Sequence, residues 1–241
     1  RAYEQGIILE ANALLCDHEL NLHVDLPRGI RAIIPKDEAI YNPSGEITKD
    51  IAILTRVGKP VCFKVISINN SNGTTTVILS RRAAQEECHT NYVSRLTPGD
   101  IIKAKITHIE SFGAFADVGC GIVSLLSIDS ISVSRIPHPD ARFTPGQKIK
   151  AVVRSIDECG RITLSYKELL GTWEENAREF EVGQTVLGIV RSIEDYGVFI
   201  ELAPNLAGLA ELKSGVSVGD IASVYIKSIC PEKMKIKLAF F

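Results

Sequence analysis

Residues 112–117 read Phe-Gly-Ala-Phe-Ala-Asp, and residues 196–201 read Tyr-Gly-Val-Phe-Ile-Glu. In both, two rings stand three residues apart across a glycine, and a carboxylate follows the second ring. Val198, Ile200 and Leu202 alternate with Phe199 and Glu201. Side chains of a strand point to its two faces in turn. The aliphatic set takes the buried face, which leaves Phe199 and Glu201 on the wet one. Ala114, Ala116 and Val118 place Phe115 and Asp117 there in the same way. A ring held in water near basic side chains can stack on a nucleobase while the cations meet phosphate. Lys103, Lys105, Lys148 and Lys150 point outward by the same alternation, and Arg161 opens a later strand. The competing reading is that Phe112 and Phe115 plug a contact between domains, which must explain one ring phase occurring twice.

Other chemistries find little support. There is no glycine-rich loop ending in Gly-Lys-Ser/Thr, no Gly-x-Ser-x-Gly and no His-Glu-x-x-His. The Gly-x-G of "VGCGIV" lacks a third glycine at 124. Histidines 18, 23, 89, 108 and 138 are scattered, and none is spaced to pair with a cysteine nucleophile. Glu194 and Asp195 read as a solvated turn pair. The six cysteines at 16, 62, 88, 120, 159 and 230 form no CxxC and sit in or beside apolar runs. They are expected to be reduced, mostly buried thiols, with no zinc site. No catalysis, metal or cofactor is expected. Asn72-Gly73-Thr74 matches a glycosylation pattern, but Asn72-Gly73 reads as a turn.

The elements that position the rings come from internal repeats. Residues 98–119 match 182–203, with Phe112 on Tyr196, Phe115 on Phe199 and Asp117 on Glu201, all at an offset of 84. Residues 145–165 match 218–239 at an offset of 73 or 74, so the last copy is about ten residues shorter between its third and fourth strands. A fainter copy lies earlier: "LNLHVDL" at 20–26 puts His23 at the place of Phe115, and 57–68 and 75–80 match later strands. Each copy offers five short strands, which can bury a core only by closing on themselves. The expected fold is all-β with short linker helices: three tandem five-stranded OB-fold barrels at 1–82, 97–167 and 182–241. The helical linkers are expected at 83–96 and 168–181. Gly113 and Gly197 stand where the second strand begins, and a bulge there would bring Phe112 round to the face of Phe115 and Tyr196 to that of Phe199. Ala84, Cys88, Tyr92 and Leu96 form one helical stripe, and Leu169 or Leu170, Trp173, Ala177 and Phe180 another. Thr172 and Glu175 fit a capping box. These linkers are expected to pack on a neighbouring barrel, with Trp173 between domains.

The chain has 241 residues, 45% of them hydrophobic, and a net charge of −2. No apolar run reaches the ~18 residues of a membrane span and no secretory segment opens the chain, so a cytoplasmic protein is expected. It starts at Arg1 rather than methionine, consistent with residues missing upstream. The charge speaks against a strongly basic nucleic-acid binder. Residues 97–168, however, carry nine Lys or Arg against eight acids. Stacking must then carry more of any affinity than counterion release, with a shallow salt dependence.

"PGDIIKAKITHIESFGAFADVG" followed by "GRITLSYKELLGTWEE" resembles the RNA-binding domain of the bacterial ribosomal protein S-one family. The likeness is strong over 97–180, good over 182–241 and weak before 90, and as a whole the chain is similar to a short, three-repeat member. It implies OB barrels that bind single-stranded RNA and, in the ribosomal members, messenger recruitment to the small subunit. In related domains the binding face uses two aromatics of the second strand, a histidine on the third, and an aspartate and an arginine around the last hairpin. The middle repeat offers Phe112, Phe115, Asp157 and Arg161 with Lys103 and Lys105, and has Ser127 in place of the histidine. The third offers Tyr196 and Phe199, with Glu211 in the histidine's place and Lys235 in the arginine's. The first keeps His23, with Lys36 nearby, and has Pro35 in place of the histidine. The expected partners are single-stranded RNA, with mRNA foremost, and the small ribosomal subunit, and a monomer is expected. The alternatives are a barrel array acting as a protein-binding scaffold and an accessory region of an RNA-processing enzyme.

Overall fold

Period-two alternation becomes fifteen strands among the described residues of a computed structural model, which are 2–27, 30–42, 49–71, 74–134 and 136–241. The Asn72-Gly73 turn lies outside them. The strands are β1 (Leu9–Cys16), β2 (Leu22–Asp25), β3 (Arg31–Ile34), β4 (Pro60–Ser71) and β5 (Thr74–Ser80). They are followed by β6 (Ile101–Glu110), β7 (Gly113–Asp117), β8 (Val123–Ser127), β9 (Lys148–Ile156) and β10 (Ile162–Ser165). The last five are β11 (Thr185–Glu194), β12 (Gly197–Ala203), β13 (Leu206–Ala210), β14 (Ile221–Cys230) and β15 (Lys235–Phe240). The helices are α1 (Ala2–Gln5), α2 (Asp50–Leu54), α3 (Arg81–Asn91) and α4 (Trp173–Ala177).

The strands close into three five-stranded barrels of one topology: first, second, third, fifth, fourth, and back to the first. The third and fifth strands of each run parallel, as in Leu209 opposite Lys237 and Thr163 opposite Leu125. This is the OB-fold arrangement expected from the repeats. Closure needs strongly bent strands, and single-residue register slips supply the bend. They fall at Leu14 and Ile66 in the first barrel and at Arg191 and Lys227 in the third. Between the third and fourth strands the middle barrel has residues 128–147 and the third only 211–220. The inner faces are those the alternation assigns. Leu22, Val24, Phe63 and Leu79 fill the first barrel, and Ile102, Ala104, Ile106, Ala114 and Ala116 point inward in the middle one. Val198 and Ile200 fill the third, with half-buried Leu202 packed against them.

The chain divides into two compact units. One holds residues 1–97 with the segments 117–123 and 156–161. Within it, Ser80 caps α3 by accepting the Ala83 amide at 2.8 Å. The helix starts two residues earlier than the 83–96 linker and ends at Asn91. Ala84 is buried as expected, but Tyr92 is exposed and Val93, in the 3-10 turn that follows, is buried in its stead.

The other unit holds residues 98–116, 124–155 and 162–241. Thr172 accepts the Glu175 amide at 3.1 Å and Glu175 accepts the Thr172 amide at 2.7 Å, so the capping box opens α4 as expected. Trp173 and Ala177 are part of the third barrel's own core, with Phe180 against them, so Trp173 stoppers that barrel rather than merely filling a gap between domains. Glu201 departs from the alternation. It is not on the wet face: it is only 6% exposed and ion-paired with Arg142 and Arg191. A register slip between Glu201 and Ala203 interrupts the strand there. Buried Asn205 accepts the Val133 amide at 2.9 Å and donates to the carbonyls of Lys167 and Gly171 at 2.9 and 2.7 Å.

Candidate nucleic-acid interface

The rings take their places from hairpin geometry. Ser111 and Phe112 form the turn between β6 and β7, and Asp195 and Tyr196 the turn between β11 and β12. Glu194 pairs directly with Gly197, Ile193 with Val198, and Ser192 with Phe199. The bulge expected at Gly197 is therefore absent, and the register slips at Arg191 on the opposite strand. Tyr196 reaches the side of Phe199 because a turn residue escapes strand alternation. The glycine answers to a different need. A Cβ on Gly197 would stand 2.5 Å from the Ala210 carbonyl oxygen, and one on Gly113 2.6 Å from that of Leu126.

The outer rings stand in solvent, Phe112 at 54% exposure and Tyr196 at 69%. Phe115 and Phe199 are half-buried, so their expected exposure is only partial, but both lie on the outer side of the strand whose inner residues fill the core. Each meets its partner edge-on, with centroids 6.0 and 6.1 Å apart and interplanar angles of 87° and 89°. Edge-to-face packing is a favoured aromatic geometry, and it leaves the flat face of the outer ring open. In the middle barrel His108 adds a third ring, 24° from the plane of Phe115 with centroids 6.1 Å apart. Sequence spacing does not mark His108, because its neighbour is across a strand pair rather than along the chain. The corresponding residue of the third barrel is Ser192.

The lysines form an array. Lys103 stands opposite Lys150 and Lys105 opposite Lys148 across β6 and β9. All four are exposed, and none is ion-paired among the described residues. Like charges directly opposite each other cost stability, so the array is unfavourable unless an anion meets it. At the same positions the third barrel has Leu187 opposite Ser223 and Ile189 opposite Ile221, with Leu187 68% and Ile221 72% exposed.

Most of the other candidates are already engaged within the protein. Asp157 accepts the Arg161 amide at 2.8 Å, the Cys159 amide at 3.0 Å and Arg161 Nε at 2.9 Å. These bonds, the Arg161 amide foremost, hold the Asp157 carboxyl below its usual range and aim a largely exposed guanidinium outward. Ser127 shares a hydrogen bond with the Ser130 hydroxyl at 2.9 Å. In the first barrel, Asp17 accepts the amides of Asn21 and Glu19 and lies 3.1 Å from His23 Nε2. The Asn21 amide above all holds its carboxyl down to about 2. Lys36 pairs with Asp50 at 3.2 Å. In the third barrel, Glu211 pairs with Lys227 at 3.1 Å, and Lys235 stands exposed opposite Cys230.

Residues 95–167 match the S1 RNA binding domain. Over 234 residues, 90% of its length, the chain is 31% identical to the small ribosomal subunit protein bS1 of Rickettsia conorii. The chain is homologous to bS1 over most of its length, and its middle barrel matches an S1 RNA binding domain. A bS1 homolog from Bacillus cereus is 33% identical over 177 residues, 71% of the chain. The chain spans 39% and 44% of the length of these two bS1 relatives. Among the described residues no helix is long and apolar enough to cross a membrane.

Proposed function

We propose that the chain binds single-stranded RNA, without catalysing a reaction, as part of translation in the cytoplasm. The observation that carries this is a solvent-facing ring seated edge-on over a second ring, at the same hairpin, in two barrels of one chain. Bases stack on Phe112 with Phe115 and His108 behind it, and on Tyr196 with Phe199. Lys103, Lys105 and Arg161 meet the phosphates. The match to an RNA binding domain supports the ligand class, and the relatives' name supports the small ribosomal subunit as a partner; messenger RNA is the single strand we propose. A monomer with one RNA strand is the working unit. A protein-contact role belongs to the third barrel, where exposed Leu187 and Ile221 replace the lysines.

Titration with a short single-stranded RNA, followed residue by residue by NMR, tests the reading. Shifts should appear first over 103–117, then at 196–199. Saturating RNA without shifts at either ring pair would overturn it.

A further inference from the structure

Three of the six cysteines converge outside the ring surfaces. Cys62 lies on β4, Cys88 on α3 and Cys120 between β7 and β8, all within the first compact unit. The Cys120 thiol is close enough to both others to interact with them electrostatically, and the Cys62 thiol also donates to the Glu10 carboxylate at 3.6 Å. The Cys88 sulfur also stands 3.1 Å from where a Cβ on Gly119 would be. Cys120 sits between two glycines yet is itself held at φ 51°, a left-handed conformation that residues with a side chain rarely adopt.

The loop is fixed from two sides. Asp117 Oδ1 accepts the amides of Gly119 and Gly121 at 2.8 and 3.1 Å. Arg81 and Gln85 donate to the Gly121 carbonyl at 3.4 and 3.2 Å. Strain that the surroundings over-determine is a pointer to a site. All three cysteines are half-buried residues rather than fully enclosed ones. No group of metal-ligating side chains among the described residues, this trio included, is disposed to hold an ion.

The surroundings separate the three thiols chemically. Hydrogen bonds from Cys62 and then Cys88 favour a thiolate at Cys120 and bring it down to about 6, against opposition from burial, Asp117 and Glu87. The bond to Cys120, then burial, pushes the Cys62 thiol up. Burial first pushes Cys88 up to about 12. The buried Arg81 cation interacts with both Cys62 and Cys120. The nucleophile in thiol exchange is the thiolate.

We propose that Cys62, Cys88 and Cys120 form a redox-responsive site, in which Cys120 attacks a low-molecular-weight disulfide such as glutathione disulfide and Cys62 resolves the product. Cys120 thiolate attacks one sulfur of glutathione disulfide, forming a mixed disulfide and releasing one glutathione thiolate. Cys62 gives its proton to solvent and attacks the Cys120 sulfur, releasing the second glutathione. Two protein thiols are oxidised to one Cys62–Cys120 disulfide, and one glutathione disulfide is reduced to two glutathiones. Cys88 is the alternative resolving thiol. The site is independent of RNA binding.

Two measurements on the unaltered chain test this. Limited iodoacetamide labelling at neutral pH should modify Cys120 about five-fold faster than Cys16, Cys159 or Cys230, since a larger thiolate fraction outweighs its lower nucleophilicity. Glutathione disulfide should then yield one linked peptide pair, Cys62 with Cys120, that dithiothreitol reverses. In Cys62→Ser, glutathione should remain on Cys120 or the link should move to Cys88, and in Cys120→Ser no link should form. Labelling of Cys120 no faster than of the other three, or a disulfide recovered elsewhere, would overturn the proposal.

Discussion

On the proposed reading, a single ring carries a large share of the binding energy because so few charges assist it. Each stacked base contributes ~1–3 kcal/mol by alanine substitution, and 1.4 kcal/mol is about tenfold in affinity. Phe115→Ala should therefore weaken RNA binding roughly 5- to 150-fold, since it removes both the inner ring and the support on which Phe112 and His108 lean. Filter binding that matched the parent chain would rule out stacking at this hairpin. A second residue-scale test concerns Asp17. Its folded-state carboxyl is depressed to about 2 by the Asn21 amide and, further down, by His23. A depressed carboxylate stabilises the fold above its unfolded value of about 3.9, and that contribution is lost as pH falls through about 2. Carboxyl-carbon NMR should place the Asp17 midpoint well below that of an exposed aspartate, and a midpoint near 4 would refute the turn geometry. The ring pairs were legible in the sequence as a repeated phase. His108 was not, because only the pairing of β6 beside β7 brings it to Phe115. Glu201 was read wrongly, because alternation cannot foresee two arginines arriving from elsewhere in the fold to bury a carboxylate.

At the scale of elements, alternation and repeat offsets were enough for the barrels, since a five-stranded segment of this length has one economical way to hide its inner face. The irregularities were harder. The sequence marks Gly113 and Gly197, but the slip falls on Arg191, and the glycines serve a close approach to a carbonyl oxygen instead. The Thr172–Glu175 capping box was legible because its signal is local; the destination of Trp173 was not, being a matter of which barrel lies beneath the helix. Trp173→Ala should cost about 3–5 kcal/mol, the usual range for removing a buried aromatic, read as a lower urea midpoint of the third barrel. An unchanged midpoint would show that α4 does not stopper that core. Glu201→Ala should cost a similar amount, about 3–5 kcal/mol, because it leaves the nearly buried Arg142 and Arg191 without a counter-charge. Glu201→Gln, which keeps the shape, should recover only part of the loss. Full recovery would mean that packing rather than charge holds the three together.

For the whole molecule, a net charge of −2 must be reconciled with an anionic ligand. The proposed face of the middle barrel answers this locally: among the described residues its four lysines face one another without acidic partners, and its rings are three. The third barrel has two rings but apolar residues at three of the four lysine positions. In the first, His23 and Lys36 already face Asp17 and Asp50. Affinity should therefore rank middle, third, first, so that Phe199→Ala costs less than Phe115→Ala and His23→Ala costs little. Glu211→Gln should tighten RNA binding only slightly, since Lys227 already offsets a largely exposed carboxylate and such pairs are worth ~0–1 kcal/mol. Salt titration separates the two kinds of contact. For single strands each neutralised phosphate contributes about 0.7 to the slope of log K against log salt. Replacing Lys103 and Lys105 together by alanine should flatten that slope by about 1.4, whereas Phe115→Ala should lower affinity at every salt concentration and leave the slope unchanged. A slope untouched by the lysine pair would detach β6 and β9 from the phosphates. If His23→Ala were the most damaging of the substitutions, the ranking would invert and the first barrel would become the RNA-binding one.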